Sequence, residues 1–280
     1  MRLETILNQV EKYKSFVYER GHREESDSGL TLVVPIRSRG NGRPVCSGCG
    51  AHGPTYDHQP ERRFESVPLW GIAMFLAYRL RRVNCASCEV TVERVPWCDG
   101  KHSQTTRSRW FLAGWAKRLS WSEVAAIFPT SWDRVCRAVE QAVEWGLAHR
   151  DLSDVTALGI DEMAWQKGHK YLTLVYDISG TVKRLPSVTE ERTEASLRAG
   201  LTSVGVSVCA GVQFVCSDMW KPYLTVIGEP LAGAVHVLDR FHIRQKFGKA
   251  LDEIRVEESK QLKRDGYERQ ETEHRRHHGR

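Results

Sequence analysis

The chain has 280 residues, more than one hydrophobic core normally holds, so we expect more than one domain. Its hydrophobic fraction of 41% and charged fraction of 27% are typical of folded proteins and exclude a mostly disordered chain. No apolar run reaches the ~20 residues that span a membrane, and the N-terminus lacks the pattern of a signal peptide. We therefore expect a cytosolic protein with no membrane partner.

The net charge of +6 is concentrated in the N-terminal half. Residues 1–150 hold 22 Lys or Arg against 16 Asp or Glu, whereas residues 151–280 hold 19 of each. A basic half favours binding to a polyanion, although an ordinary soluble surface has a similar surplus. Eight cysteines in a cytosolic chain favour metal ligands or free thiols over disulfides.

The first hundred residues are predicted to contain a helix, a linker and a small domain. Apolar side chains recur at helical spacing over residues 3–17, and the polar segment from Gly21 to Gly29 predicts a linker. The apolar run 30–36 predicts a strand. We therefore assign residues 1–30 to an N-terminal helix and linker, and residues 31–100 to a domain that holds the first cysteines.

Two CxxC pairs dominate the segment 31–100. Cys46 and Cys49 form the first pair, and Cys85 and Cys88 form the second, and Cys49 and Cys85 are 36 positions apart. Two thiolates at CxxC spacing can bind one zinc ion from a tight turn, and two such turns supply four sulfur ligands. A redox-active CxxC and unligated buried cysteines are the alternatives. Two pairs in one small basic segment favour a structural zinc site in a zinc-ribbon-like module.

Basic and aromatic side chains lie between the two cysteine pairs. The runs Arg62-Arg63-Phe64 and Tyr78-Arg79-Leu80-Arg81-Arg82 combine positive charge with aromatic rings. This combination is typical of surfaces that contact the phosphates of nucleic acids. We identify Arg81 and Arg82 as candidate DNA contacts.

Residues 101–150 are predicted to be helical. The run Ser120-Trp-Ser-Glu123 has the sequence of a capping box that opens a short helix, and a turn containing proline separates it from a longer helix. Two helices joined by a short turn, the second carrying Arg134 and Arg137, favour a helix-turn-helix DNA-binding domain. Any helical hairpin gives the same pattern, so this assignment depends on the basic cysteine-rich segment before it.

From residue 151 the pattern changes to strands and helices. Three strands are predicted at about 157–163, 170–177 and 181–188, and Pro186 indicates that the third lies at a sheet edge. A helix, a strand, a short helix, a strand and a long charged helix follow. A hairpin meander followed by alternating helices and strands is the element order of the ribonuclease-H-like fold. The expected fold class is multidomain, with α+β and α/β parts.

Acidic residues end two strands that this fold would place side by side. Asp161 is predicted to close the first strand and Asp218 the fourth. Carboxylates held a few ångströms apart repel one another and bind hard divalent cations such as Mg²⁺ or Mn²⁺. A single acid at a strand end is usually a surface residue, but a pair on neighbouring strands favours a catalytic metal site. Glu162 must point to the opposite face from Asp161, and Asp161 is the favoured ligand.

Three motifs carry a resemblance to a known family. The runs Gly159-Ile-Asp161-Glu162, Cys216 to Tyr223, and Asp239-Arg240-Phe241-His242 resemble, in this order, motifs of bacterial insertion-sequence transposases of the DDE type, specifically the ISL3 family. The resemblance covers residues 1 to about 260. It implies a zinc-binding domain, a helix-turn-helix and a ribonuclease-H-like DDE domain. It makes Asp161 and Asp218 the first two catalytic acids and places Asp239 and His242 near the site.

The family resemblance also implies a third catalytic acid, a Glu on a helix well beyond the His242 motif. Glu253, Glu257 and Glu258 lie on the helix after the last predicted strand, where we expect solvated charges. We accordingly assign residues 151–265 to an incomplete catalytic domain. Residues 266–280 are poor in apolar side chains and are predicted to be a disordered tail. The expectation is a C-terminally truncated transposase.

The resemblance implies a transposase that binds double-stranded element ends, with weak or no cleavage and strand transfer by this chain. The alternative is a non-catalytic DNA-binding protein that competes for the same ends, and a third, weaker hypothesis is a ribonuclease-H-like nuclease unrelated to transposition. Structural Zn²⁺ and catalytic Mg²⁺ or Mn²⁺ are the expected cofactors. A homodimer on DNA, in the cytoplasm and associated with the nucleoid, is expected by analogy.

Overall fold

The chain forms two compact units that divide between Arg150 and Asp151. The computed structural model describes residues 2–26 and 29–266, so the tail predicted to be disordered lies, apart from Gly266, outside the described residues. The first unit contains both the segment with the CxxC pairs and the helical segment after it. The second unit contains the later strands and helices.

A helix and a six-stranded sheet open the first unit. In chain order the elements are α1 (Leu3–Val10), β1 (Phe16–Tyr18), β2 (His22–Ser26), β3 (Gly29–Ser38), β4 (Thr55–Leu69), β5 (Ile72–Cys85) and β6 (Glu89–Val92). The order across the sheet is β1-β3-β5-β4, with β2 paired to β3 and β6 paired to β5. Only the β3–β5 pair is parallel among these described strands. The core packs around Trp97, whose ring contacts Phe16, Phe64 and Tyr78 edge-on.

The N-terminal predictions were wrong in two places. Helix α1 ends at Val10, and residues 16 and 17, which were predicted to be helical, belong to β1. The predicted linker contains β2, which pairs with β3 from the His22–Val33 position onward. A strand at a sheet edge is defined by backbone hydrogen bonds rather than by burial, so β2 lacks the hydrophobic alternation that identifies strands in a sequence.

Three helices follow in the first unit: α2 (Thr106–Trp115), α3 (Trp121–Ile127) and α4 (Trp132–Ala148). The predicted capping box is confirmed: the Ser120 hydroxyl accepts from the Glu123 N–H at 3.3 Å, and the Glu123 carboxylate accepts from the Ser120 N–H at 2.8 Å. The helices share a small core of their own. Its buried members are Leu112, Ala113, Val124, Val135 and Ala138.

The second unit is a five-stranded sheet with helices. In chain order the elements are β7 (Ala157–Gln166), β8 (Lys170–Asp177), β9 (Arg184–Glu190), α5 (Glu194–Val204), α6 (Val206–Gly211), β10 (Phe214–Ser217), α7 (Lys221–Ile227), β11 (Val235–Leu238) and α8 (Arg240–Arg264). The order across the sheet is β11-β10-β7-β8-β9. Strand β10 is parallel to both of its neighbours, whereas β7, β8 and β9 form an antiparallel meander. Pro186 lies on the edge strand β9, as predicted.

The core of the second unit is built from one face of its sheet and from α5, α6 and α7. On β7, Leu158 and Ile160 are buried, because alternate residues of a strand share a face. Leu197 and Leu201 of α5 belong to the same cluster. Helix α8 contributes no buried residue. Among the described helices, none is both long and apolar enough to cross a membrane.

Candidate functional site

Four cysteine sulfurs come together in the first unit. The Sγ atoms of Cys46, Cys49, Cys85 and Cys88 all lie within 4.8 Å of one another, and those of Cys49 and Cys85 are 3.5 Å apart. The second pair lies at the turn between β5 and β6. The first pair lies in a tight turn that is closed by a hydrogen bond from the Gly50 N–H to the Cys46 carbonyl at 3.0 Å.

Glycine is required at two positions of the first cysteine turn. A Cβ atom at position 48 would lie 3.0 Å from the Sγ of Cys88 and 3.6 Å from that of Cys46, so any larger residue would enter the space between the sulfurs. Gly50 has a φ of +79°, in the left-handed region that favours glycine. Both glycines therefore allow the chain to close tightly around the cluster.

The four thiols fit a zinc ion. The neighbouring Cys49 thiol, burial and the Cys46 thiol raise the pKa of Cys88 to about 12. Hydrogen bonding, chiefly from the Thr91 hydroxyl at 3.2 Å, lowers the pKa of Cys46 to about 6. Thiolates this close repel one another unless a cation lies between them, and four of them are the donor set of a structural zinc site.

The remaining cysteines lie outside this cluster. Cys98 is buried, and its thiol donates to the His102 carbonyl at 3.0 Å. Cys209 is buried in the core of the second unit, whereas Cys136 and Cys216 are half-buried. The CxxC spacing alone therefore separated the four clustered cysteines from the other four.

Two adjacent arginines on β5 have different surroundings. The Arg81 side chain is only 7% exposed, and its Nε and Nη2 donate to Oε2 of Glu93 at 2.9 and 2.7 Å. Burial opposes the charge, but the hydrogen bonds to Glu93 hold the pKa of Arg81 above its ordinary value. The structure therefore contradicts Arg81 as a DNA contact, because strand alternation directs its side chain into the protein.

The other three candidate DNA contacts are more accessible. Arg82 is partly exposed and forms an ion pair with Asp57 of β4. On α4, Nη1 of Arg134 lies 2.6 Å from Oε2 of the buried Glu65. Arg137 is exposed on the same helix. Arg82 and Arg134 would have to exchange a carboxylate for a phosphate to bind DNA, whereas Arg137 is directly accessible.

The two candidate catalytic acids belong to adjacent strands at the centre of the second sheet. Cys216 of β10 lies opposite Gly159 of β7 in a parallel pair, so continuing this register by two residues brings Asp218 level with Asp161. Asp161 does not close its strand as predicted, because β7 continues to Gln166. Its side chain is exposed and accepts a hydrogen bond from the Glu162 N–H at 2.8 Å.

Glu162, rather than Asp161, shares a side-chain partner with Asp218. Arg192, which precedes α5, forms an ion pair with Glu162 through Nε, and its Nη2 lies 3.2 Å from Oδ2 of Asp218. The other oxygen of Asp218 accepts from the Trp220 N–H at 2.9 Å. One guanidinium therefore holds two carboxylates in place.

Burial makes Glu162 difficult to ionise. Its side chain is 9% exposed, because alternation along β7 places it on the core face with Leu158 and Ile160. Burial, and then the negative charge of Asp218, raise the pKa of Glu162, whereas Arg192 acts in the opposite direction. Arg192 therefore favours the charged form of this acid.

An aromatic pair packs against Arg192. Its Cζ lies 4.6 Å from the centroid of the Trp220 ring, and that ring packs edge-on against Tyr223 at 4.6 Å. The Tyr223 hydroxyl lies 2.7 Å from Oγ1 of Thr173 on β8. The contacts connect β8, the segment before α5 and the start of α7 around Asp218. Arg192 and Thr173 were not predicted from the sequence, because they belong to no motif with recognisable spacing.

Asp239 and His242 lie at the same end of the sheet as Asp218. Ser217 of β10 is opposite Leu238 of β11, so Asp218 and Asp239 follow neighbouring parallel strands. Asp239 caps α8 by accepting from the Phe241 N–H at 2.8 Å, and Nε2 of His242 lies 3.8 Å from its Oδ2. These acids do not form a three-acid cluster: within residues 2–26 and 29–266, only the four cysteines bring three or more such groups within reach of one metal ion.

Comparison with known proteins identifies related sequences in both units. Residues 158–278 match a family model described as a transposase, the ISL3 type. Residues 42–88 match a model described as the zinc finger of transposases IS204, IS1001, IS1096 and IS1165. The second match contains all four clustered cysteines, and the first contains Asp161, Asp218 and Asp239.

Curated relatives agree with these matches. The transposase for insertion sequence element IS1001 of Bordetella parapertussis is 25% identical over 241 residues, which are 85% of this chain and 59% of that protein. The transposase for element IS1557 of two Mycobacterium tuberculosis strains is 25% identical over 253 residues, 85% of this chain and 54% of the relative. The chain thus spans somewhat more than half the length of these relatives. Both units therefore match models of the ISL3 type of transposase, and the chain is similar to transposases of that family over 85% of its length.

Proposed function

We propose that the protein is a DNA transposase whose first unit binds the ends of an insertion sequence and whose second unit cleaves and joins DNA strands. The names of its relatives support this proposal. The observation that carries it is the parallel pairing of β7 with β10, whose last pair, Gly159 with Cys216, lies two residues before Asp161 and Asp218. The strand order β11-β10-β7-β8-β9 supports a ribonuclease-H-like arrangement of the second unit.

The proposed catalytic acids have the donor atoms for a divalent metal. Carboxylate oxygens are the ligands that Mg²⁺ and Mn²⁺ prefer, so Asp161 and Asp218 fit such an ion. A bound ion would supply positive charge at the scissile phosphate and lower the pKa of an attacking water or hydroxyl. The chain's own contribution is positional, because Trp220 and Arg192 each hold one oxygen of Asp218. We place Asp239 and His242 beside this site.

For the first unit we propose that α3, the turn after it and α4 form a helix-turn-helix. Arg137 is the proposed principal contact, and Arg82 and Arg134 are proposed contacts that exchange their carboxylate partners for phosphates. The zinc site stabilises the neighbouring sheet. We further propose that the protein acts as a homodimer on double-stranded element ends, in the cytoplasm and in association with the nucleoid.

Replacing Asp161 or Asp218 with asparagine is expected to reduce cleavage of element-end DNA by about 100- to 1,000-fold, because each change removes a charged ligand from the reacting centre. Binding of the same DNA should not change, because neither acid lies in the first unit. The measurements are cleavage of labelled end DNA in Mg²⁺ and a mobility-shift titration.

Asp252→Asn is the matched control for these variants, because Asp252 is an exposed acid on α8. Full cleavage by both site variants would contradict the proposed roles. We expect the 1–280 polypeptide to cleave weakly, because no third acid joins Asp161 and Asp218 in a metal-binding cluster within the described residues. Glu253, Glu257 and Glu258 are exposed on α8 and are not proposed as its replacement. Efficient cleavage and joining of DNA by this polypeptide would contradict the expected weak activity. If Glu253→Gln then abolished that activity, Glu253 would be the third acid.

Replacing Arg134 and Arg137 together with alanine is expected to weaken binding to end DNA and to lower the slope of log affinity against log salt by roughly 1 to 2, because up to two phosphate contacts are lost. The measurement is a binding titration at several salt concentrations. Arg255→Ala, a change of an exposed arginine on α8, is the control. Unchanged affinity and slope in the double variant would show that α4 does not contact DNA.

The second candidate function is a non-catalytic DNA-binding protein that competes for element ends. The shared ion pair of Glu162 and Asp218 with Arg192 favours it, because this arginine already neutralises part of the acidic charge. This hypothesis predicts binding that survives both Asp161→Asn and Asp218→Asn, together with no cleavage by the unmodified chain. The cleavage assay described above therefore distinguishes the two functions.

A further inference from the structure

The hairpin between β7 and β8 carries an exposed tryptophan that the proposed chemistry does not use. Residues 163–170 are all exposed, and 53% of Trp165 is accessible. Ala164 pairs with Tyr171 and Gln166 with Lys170, so Trp165 is the extra residue of a β-bulge. Bulges occur beside active sites, where they redirect a side chain. The chain thus presents a large ring to solvent at a site where the ladder of cross-strand pairs is interrupted.

The hairpin is also positively charged. Lys167 and Lys170 lie at its turn, and the sequence from Met163 to Tyr176 contains no Asp or Glu. The Nζ atom of Lys170 lies 5.8 Å from the centroid of the Trp165 ring. A nucleotide joins a flat aromatic base to an anionic phosphate. The exposed Trp165 ring can stack on such a base while the Lys170 ammonium group binds the phosphate.

The strand that carries this tryptophan also carries the proposed catalytic acid. Asp161 and Met163 share one face of β7, and Met163 is 48% exposed. Trp165 is four positions beyond Asp161, which is about 13 Å along a strand at the usual rise per residue. A DNA strand with a phosphate at Asp161 could therefore place one of its nearby nucleotides at the hairpin.

We infer that this hairpin binds single-stranded DNA beside the cleavage position, with an unpaired base stacked on Trp165 and a phosphate at Lys170 or Lys167. The inference rests on the proposed transposase function for its biological setting. It requires only that the second unit contacts DNA, however, and does not depend on catalysis. Stacking accepts any base, so the hairpin holds an opened strand without reading its sequence.

The test uses the full chain and a short single-stranded oligonucleotide containing 2-aminopurine, in EDTA so that no cleavage occurs. We expect the unmodified protein to quench the 2-aminopurine fluorescence and Trp165→Ala to bind the oligonucleotide about tenfold more weakly, which corresponds to the loss of one stacked base. Trp165→Phe should retain part of the affinity, because phenylalanine keeps a ring. Phe214→Ala is the matched control, since Phe214 is an exposed aromatic residue at the far end of the same sheet.

Equal single-strand affinity and quenching for Trp165→Ala and the unmodified chain would overturn the inference. Self-association of the chain that Trp165→Ala abolishes, with no change in DNA binding, would also overturn it and would identify a second copy as the occupant. If Trp165→Ala loses single-strand binding, the hairpin site is supported. If the unmodified chain also fails to cleave DNA, that result counts against the catalytic proposal alone. The two proposals can therefore fail separately.

Discussion

Replacing Cys46 with serine is expected to remove zinc from the protein and to destabilise the sheet of the first unit. The serine hydroxyl is a poor zinc ligand, and the other three sulfurs remain clustered around an incomplete site. A structural zinc site contributes about 10–16 kcal/mol of apparent binding free energy, so losing one of its ligands should cost about 3 kcal/mol or more. Binding to end DNA should be lost as the sheet unfolds. Elemental analysis and thermal unfolding measure the two effects.

Cys136→Ser is the control for the zinc prediction, because Cys136 is half-buried on α4 and lies outside the cluster. Its zinc content and unfolding temperature should match those of the unmodified chain. Purified protein that contains no zinc, with all eight thiols freely titratable, would contradict the zinc assignment. A chelator should reproduce the effect of Cys46→Ser in the unmodified chain and should have little further effect on the variant.

Replacing Glu93 with alanine is expected to lower the free energy of unfolding of the first unit by about 3–5 kcal/mol, because it leaves the buried Arg81 without its counter-charge. The Glu93 side chain is fully buried and accepts from the Tyr78 hydroxyl at 2.7 Å, from the Arg81 N–H at 2.8 Å and from two nitrogens of the Arg81 guanidinium. Amide hydrogen exchange of β4, β5 and β6 measures the local loss.

The neighbouring ion pair of Arg82 with Asp57 is the matched control for Glu93. Its side chains are 42% and 40% exposed, so Asp57→Ala should cost less than about 1 kcal/mol. The double change Arg81→Met and Glu93→Leu should cost less than Glu93→Ala alone, because it leaves no buried charge unpaired. Equal losses for Glu93→Ala and Asp57→Ala would show that burial does not distinguish the two pairs.

Much of the fold was predictable because its determinants are local in the sequence. The CxxC spacing identified the four clustered sulfurs, since two residues between thiols already define a tight turn. The Ser120 capping box located the start of α3, and Pro186 indicated an edge strand. These three signals depend on residues a few positions apart, and such signals survive in any tertiary arrangement. The order of elements in the second unit also indicated that its first and fourth strands are neighbours, although Asp161 lies within β7 rather than at its end.

The sequence by itself determined the four clustered cysteines, the resemblance to a transposase family and the order of the helices and strands in the second unit, except for the short helix α6, which was not predicted. Only the tertiary structure decided that Arg81 is buried while Arg82 is accessible, because both carry the same charge in the same basic run. It also decided that Arg192, 26 positions before Asp218, joins that acid to Glu162. Contacts between distant positions depend on how strands pair and which face each residue occupies, and neither follows from the spacing of residues along the chain.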